Sequence, residues 1–422
     1  MNPQFLKTID TAQLVSGPRS AVDAEALSVV REIVSDIEAE GELALRRYAE
    51  KLDGLAPGAP LLVTKDELNE ALELIEPADR ELLWRVAGRI RSFAVAQRSA
   101  FHEVECRVPG GRVGHTITPV DRAGCYTPGG RHPLPSSALM TAIPARAAGV
   151  REVIVASPNP APITLAAAAI AGADAVLALG GAQAIAAMAL GVGVSACDVI
   201  VGPGNRYVTA AKHMLSDRMR IDMLAGPSEL VVLADETAEA GIVAADLLAQ
   251  AEHDPDARVI LVATEPRILD AVNAELAKQL PSLATAEVAR AVLARSFSLL
   301  AADMDEAISI CDRLAPEHLA LHVCNAEDVA GRVQHFGALF IGSLSAVALG
   351  DYTAGPNHTL PTGGAARCTG GLSVLNFLRV RTYVQVCDFN EAEPLFTDAE
   401  HLARLEGLEA HARSAARRRP RS

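Results

Sequence analysis

Apolar residues recur at helical spacing, with Glu and Arg between them, over residues 21–48 and 65–98. That period predicts a helical layer, and Thr64-Lys-Asp-Glu67 has the form of a capping box opening the second stretch. From 107 to 130 the pattern changes to Gly and Pro with short extended pieces, chiefly 113–118. The segment Gly124-Cys-Tyr-Thr-Pro-Gly-Gly130 then reads as a loop running into a helix near Ser136. A regular alternation follows. Strands are expected at 153–156, 175–179, 198–201 and 230–233, with helices at 162–171, 182–190 and 207–215 between them. It repeats with strands at 259–262, 296–300, 319–323 and 339–341 and helices at 243–252, 267–278, 306–314 and 328–336. Alternation at this spacing makes right-handed βαβ units and parallel sheets.

The chain therefore divides into a short N-terminal extension (1–20), a helical part (21–109) expected to pack on the second α/β half, a first α/β domain (110–235), a second (236–378), and a polar helical arm with a basic tail (379–422). An arm of that kind, with no sheet of its own, suggests a partner subunit.

Composition narrows the function classes. Half of the 422 residues are hydrophobic, and Ala, Val, Leu and Gly dominate, as suits helices covering buried parallel strands. The net charge of -14 argues against a nucleic-acid or anionic-membrane surface; the basic run at 413–421 reads as a solvated tail. No apolar stretch reaches membrane-spanning length and the first residues lack a signal-peptide core, so a cytoplasmic location is expected. Seven cysteines without CxxC spacing read as reduced thiols, not a disulfide frame.

Gly350-Asp-Tyr-Thr-Ala-Gly-Pro-Asn-His-Thr-Leu-Pro-Thr-Gly-Gly364 stands out, because its Gly and Pro exclude a long helix or a central strand while its side chains are chemically rich. It reads as a loop carrying Asp351 and His358. Leu179-Gly-Gly-Ala-Gln183 and Val201-Gly-Pro-Gly-Asn205 each follow a strand and open a helix, where N–H groups and the dipole favour phosphate; ordinary Gly turns remain the alternative. No GxGxxG fingerprint sits in a βαβ context. Ala225-Gly-Pro-Ser-Glu229 reads as a turn. Gln250 and His253 share one helix face, a pairing compatible with a metal that takes N and O ligands, such as zinc. Glu317 and His318 at a strand entry suit a general acid–base pair, with a surface Glu beside a partly buried His as the alternative. Glu406 and His411, taken singly, are solvated helix residues.

Pro128-Gly-Gly with Pro135-Ser-Ser, Gly180-Gly-Ala-Gln, Gly202-Pro-Gly-Asn, Ala225-Gly-Pro-Ser-Glu, Gln250-Ala-Glu-His, Pro316-Glu-His-Leu and the 350–364 segment occur in order over nearly the whole chain. Together they resemble the histidinol dehydrogenase family. The resemblance implies two incomplete Rossmann-like doubly wound domains with N-terminal helices and a C-terminal helical arm. It implies an intertwined homodimer, with the active site shared between subunits, that oxidises L-histidinol to L-histidine using NAD and zinc. On this sequence the zinc ligands would be Gln250, His253, Asp351 and His411, the last supplied by the other subunit. Glu317 and His318 match the acid–base pair. Ser136, Ser228, His358 and Glu406 match substrate-contacting positions, and Tyr126, Gln183 and Asn205 match NAD contacts.

A thiol nucleophile is the usual alternative route for aldehyde oxidation. Cys125 is the one thiol near a motif, and nothing local supplies it with a base, so it reads as structural. Arg131 and His132 leave a second reading open: a paralogous NAD-dependent dehydrogenase of another small alcohol, such as an anionic sulfonated one, which a cationic Arg131 would suit. A non-catalytic binding protein that kept the fold is disfavoured, since the whole acid–base and metal set is present.

Overall fold

The computed structural model describes residues 5–14, 22–129 and 133–419; Arg131 and His132 lie outside them. In chain order the strands are β1 (Lys7–Thr8), β2 (Leu62–Val63), β3 (Val104–Val108), β4 (Gly111–Pro119), β5 (Arg122–Tyr126), β6 (Glu152–Ala156), β7 (Ala175–Leu177), β8 (Val199–Val201), β9 (Arg220–Ile221), β10 (Glu229–Ala234), β11 (Arg258–Ala263), β12 (Phe297–Leu300), β13 (His318–His322), β14 (Ala338–Ile341) and β15 (Leu378–Val386). They form a six-stranded sheet β2-β7-β6-β5-β8-β9, a second six-stranded sheet β1-β12-β11-β10-β13-β14, and a three-stranded antiparallel sheet β15-β4-β3.

The two large sheets share one plan. Five chain-consecutive parallel strands take the order third, second, first, fourth, fifth in each, and a short strand from the N-terminal region extends the edge beside the third. This is half of a doubly wound dinucleotide-binding fold, made twice, with a switch point between β5 and β8 and another between β10 and β13. The α/β expectation holds in both halves. Apolar runs such as Val153–Ala156 and Val231–Ala234 are fully buried, because helices cover both faces.

Several boundaries differ from expectation. β10 belongs to the second sheet, pairing with β11 and β13, so the halves divide between Ile221 and Glu229 rather than at 235. β1 is an edge strand of the second sheet, so residues 1–20 are not merely an extension. The helical part packs mainly on the first half, and its helix at 77–99 also reaches Val374 and Phe377. Its buried residues Val30, Ile37, Leu45 and Tyr48 join Tyr126, Leu177 and Ile185 in one core, and Leu68, Leu83 and Ile90 join Leu139, Val155 and Ile170 in another. The cause is the alanine surface of the first half: helices Pro162–Ala171 and Gly181–Leu190 present small side chains that let larger ones seat closely.

The stretch 21–48 is two helices, Ala24–Glu40 and Glu42–Tyr48, broken at Gly41, and 65–98 is Lys65–Leu74 and Pro77–Ser99. The capping box at Thr64 and Glu67 forms as its sequence dictates. The helix expected at 328–336 is only Ala326–Ala330. β5, expected as a loop, is the central strand of the first sheet; Gly124 and the following Thr-Pro-Gly hide it. The arm does own a strand. β15 pairs with β4 over its full length, and its Val380, Val384 and Val386 alternate with polar residues but stay exposed. Residues 350–352 close a short helix, Val347–Tyr352, so Asp351 lies in a helical turn rather than a loop. No helix among the described residues is long and apolar enough to cross a membrane.

Candidate active site

The centre lies at the start of β10 and β13, where Leu230 pairs with His318. Successive strand residues face opposite ways, yet Glu317 and His318 are both held by the residue before Leu230. The N–H of Glu229 donates to Oε2 of Glu317 at 2.8 Å. The carbonyl of Glu229 accepts from Nδ1 of His318 at 3.1 Å. The proton is therefore on Nδ1, and Nε2 is left without a hydrogen-bond partner. Glu317 and His318 are 5% and 4% exposed, and the imidazole lies against the ring of Phe340.

Three charges meet here. Oε2 of Glu317 is 3.6 Å from Nδ1 of His318, and Oδ1 of Asp351 is 3.5 Å from Nε2, an ion-pair contact longer than a hydrogen bond. Burial pushes the Glu317 carboxyl up to about 7. Burial alone would lower His318, but the Glu317 and Asp351 carboxylates outweigh it and raise the imidazole to about 9. Burial also opposes the Asp351 carboxylate, yet the neighbouring His318, His358 and His253 hold it below the usual range. A cluster that exchanges protons near neutrality suits acid–base work.

His358 donates from Nδ1 to the Asp351 carbonyl at 2.7 Å, and burial lowers its own pKa. Nε2 of the exposed His253 is 3.9 Å from Oδ2 of Asp351. Gln250, in the last turn of the helix Ala240–Ala251, is buried and its Oε1 has no hydrogen-bond partner. Ser228 directly precedes Glu229, and Ser136 lies in the first turn of the helix Pro135–Ala148. That helix is tied to the 351–364 segment by Asn357, whose Nδ2 donates to the Met140 carbonyl at 2.5 Å.

Glu406 and His411 are exposed at the end of helix Glu393–Leu405 and on helix Glu409–Ala416. Among the described residues no hydrogen bond or ion pair joins either of them to this cluster. Nor, among those residues, do three His, Cys, Asp or Glu come together as a metal-holding group; the amide of Gln250 is outside that count.

Tyr126, Gln183 and Asn205 lie at the C-terminal edge of the first sheet, where this fold class binds ligands. The N–H groups that the sequence sets beside a phosphate are already engaged. Gly181 donates to the Tyr126 hydroxyl at 3.0 Å and Gly180 to Oδ1 of Asp53 at 3.1 Å. Asn205 caps its own helix, accepting from Tyr207 and Val208. At the first turn these N–H groups are taken by Asp53 and Tyr126 from elsewhere in the chain, and at the second by Asn205 itself. Gln183 is buried, donates to Oδ2 of Asp53 at 2.9 Å, and leaves Oε1 without a partner. Gly202 is fixed on both sides, with its N–H given to Asp222 and its carbonyl accepting from the buried Lys212. A side chain at Gly202 would meet the Tyr126 carbonyl at 2.1 Å, and its φ of 116° admits only glycine readily.

Cys125 is fully buried and its thiol is pushed up by that burial, which disposes of it as a nucleophile. Residues that sequence reasoning missed include Glu229, Asn357 and Thr362, whose Oγ1 accepts from the Gly226 N–H at 2.6 Å. All three lie inside stretches already singled out, but as frame rather than chemistry. Asp53 had no motif to mark it.

Two dinucleotide-type half-sheets, one carrying a buried acid–base pair, have the plan of a nucleotide-dependent enzyme, and the family match makes it an NAD-dependent oxidoreductase. The chain belongs to the histidinol dehydrogenase family: the family model matches residues 18–419. Histidinol dehydrogenase of Aromatoleum aromaticum is 43% identical, with 98% of this chain and 95% of the relative covered. That of Thermus thermophilus is 44% identical over 93% and 94%. A crystal structure of histidinol dehydrogenase from Elizabethkingia anophelis superposes with a TM-score of 0.92 at 32% identity, covering 99% of each chain.

Proposed function

We propose that this protein oxidises L-histidinol through L-histidinal to L-histidine, the last two steps of histidine biosynthesis, as a cytoplasmic homodimer with one zinc per subunit. The observation that carries the proposal is the buried Glu317–His318 pair, clamped by one backbone residue, with Asp351 against His318 and His253 against Asp351.

The donors present suit zinc. They mix imidazole and oxygen, and the buried Oε1 of Gln250 lacks any protein partner. In this reading Gln250, His253 and Asp351 of one subunit hold the metal with His411 of the partner subunit. The orphaned Oε1 of Gln183 at the edge of the first sheet likewise suits a nucleotide hydroxyl. Zinc bound there would supply a Lewis acid to orient the substrate, and two NAD molecules would be the hydride acceptors.

The chain's own residues do the rest. In its neutral form, favoured at alkaline pH because the carboxylates raise the imidazole to about 9, His318 takes the proton of the alcohol on Nε2, since Nδ1 is committed to Glu229. Glu317 uses one oxygen on the Glu229 N–H and keeps the other for the water that hydrates the aldehyde. As water adds, His318 returns its proton to the aldehyde oxygen, and its freed Nε2 then accepts the hydroxyl proton of the hydrate as the second hydride leaves. Ser136, Ser228, His358 and Glu406 orient the substrate, and Tyr126, Gln183 and Asn205 line the cofactor edge.

The test is the yield of NADH from zinc-loaded protein with L-histidinol. Two NADH per histidinol, abolished by a chelator, is the expected result. Turnover of an anionic alcohol with none of histidinol would overturn the substrate and leave the acid–base assignment standing.

A further inference from the structure

In doubly wound nucleotide folds an acidic residue at the end of the second strand accepts the hydroxyl of the adenosine ribose, and its absence or replacement admits the 2′-phosphate of NADP. The second strand of the first half is β6. It ends in Ala156-Ser157-Pro158-Asn159, which contains no acid.

The fold delivers an acid there from elsewhere in the chain. Asp53 ends the short turn Ala49–Asp53 after the second N-terminal helix, more than a hundred residues from the strand ends it meets. Its carbonyl accepts from Nδ2 of Asn159 at 2.7 Å, just past β6. Its carboxylate accepts from the Gly180 N–H and from Nε2 of Gln183, just past β7. Asp53 is thereby fixed at three points on the adenosine side of the switch point. It is half-buried, and it makes no ion pair among the described residues. The negative charge is locally uncompensated, and its oxygens retain lone pairs for a further donor.

We propose that Asp53 sets the choice of nucleotide: its carboxylate accepts from the ribose of NAD and repels the 2′-phosphate of NADP. The inference rests on the first half being the cofactor-binding half. Like charges brought together at such a site weaken binding steeply, so discrimination on the order of 100-fold is expected.

The experiment titrates the zinc-loaded full-length protein with NADH and with NADPH, followed by cofactor fluorescence, for the wild type, Asp53→Asn and Asp53→Ser. Hydrogen exchange at residues 123–129 and 179–183 is read with and without NADH. The wild type should prefer NADH by about 100-fold. Either variant that melts like the wild type should narrow the ratio by about tenfold or more, through gained NADPH affinity as well as lost NADH affinity. An unchanged ratio, with NADH still protecting both segments, would overturn the role of Asp53 alone. Failure of NADH to protect those segments in the wild type would overturn the cofactor edge itself, and Asp53 with it.

Discussion

His318 donates from Nδ1 to the carbonyl of Glu229 at 3.1 Å, across the β10–β13 junction that forms the switch point of the second sheet. The same residue gives its N–H to Glu317. One peptide frame thus fixes the tautomer of the base and the rotamer of the acid. The arrangement sits at the N-terminal edge of the second sheet and faces chemistry, while the first sheet contributes its C-terminal edge. General experience with α/β sheets points only to the latter.

That frame separates the two half-reactions. Glu317→Gln keeps an oxygen for the Glu229 N–H, so the fold should hold. It removes the base for water, and the aldehyde step should fall by about 100-fold or more. The alcohol step should fall far less. His318→Asn should lower both, with histidinol affinity largely retained. Single-turnover assays starting from histidinol and from histidinal distinguish these outcomes; equal losses in Glu317→Gln would remove its assigned role.

Gly337 tests the same frame from behind. Its N–H donates to the Pro316 carbonyl, and a Cβ there would lie 2.6 Å from the carbonyl oxygen of Glu317. Gly337→Ala must push the Pro316–Glu317 backbone aside. A destabilisation of about 1–3 kcal/mol is expected, together with a fall in kcat, although residue 337 touches no substrate. A variant with wild-type melting and kcat would show that this backbone yields freely.

The repeated sheets were legible in the sequence because each buried strand is an unbroken apolar run between helix-length segments. What was not legible had physical causes. β5 carries Gly124 inside it and Thr-Pro-Gly after it, so a central strand looked like a loop. β15 alternates Val380, Thr382, Val384 and Val386 with Arg and Tyr in the manner of a strand, but its exposed faces and charge suggested a helical arm. Glu317 and His318, and the residues Gln250, His253 and Asp351 proposed to hold zinc, were visible within motifs. Glu229 and Asp53 were not visible as functional residues. The first acts mainly through its backbone, and the second reaches the cofactor edge only through tertiary packing.

The separation of Glu406 and His411 from the cluster leads to a complementation experiment. A dimer of Glu317→Gln and His411→Asn chains should regain activity, because one of its two sites would draw every group from an intact copy. Each parent should be nearly inactive, and His253→Asn should lose bound zinc by metal analysis. Verified mixed dimers that remain inactive would place His411 outside the site.

Thiol chemistry offers an independent check on the rejected covalent route. Cys106, Cys324, Cys368 and Cys387 are exposed, whereas Cys125, Cys197 and Cys311 are buried with thiols pushed up by burial. Four thiols per folded chain at most should react quickly with an aromatic disulfide reagent, and the other three only on unfolding. Cys125→Ala should keep the aldehyde step. Loss of that step in a well-folded variant would restore the thiohemiacetal route.

The buried pair of Lys212 and Asp222 makes the sharpest stability prediction. Lys212 is almost wholly buried, forms an ion pair with Asp222, and donates to the Gly202 carbonyl at 3.1 Å. The second oxygen of Asp222 accepts the Gly202 N–H at 2.8 Å. Removing one partner strands the other charge, so Lys212→Met or Asp222→Asn alone should cost about 3–5 kcal/mol. The double variant should cost much less than the sum, since no buried charge remains and the introduced amide oxygen can still accept from the Gly202 N–H. Denaturation midpoints of the four proteins measure this coupling. The same variants should raise KM for NAD while leaving histidinol affinity nearly unchanged, because Gly202 opens the Gly-Pro-Gly-Asn turn at the cofactor edge. Additive destabilisation with an unaltered KM would show that the pair neither couples nor positions that turn.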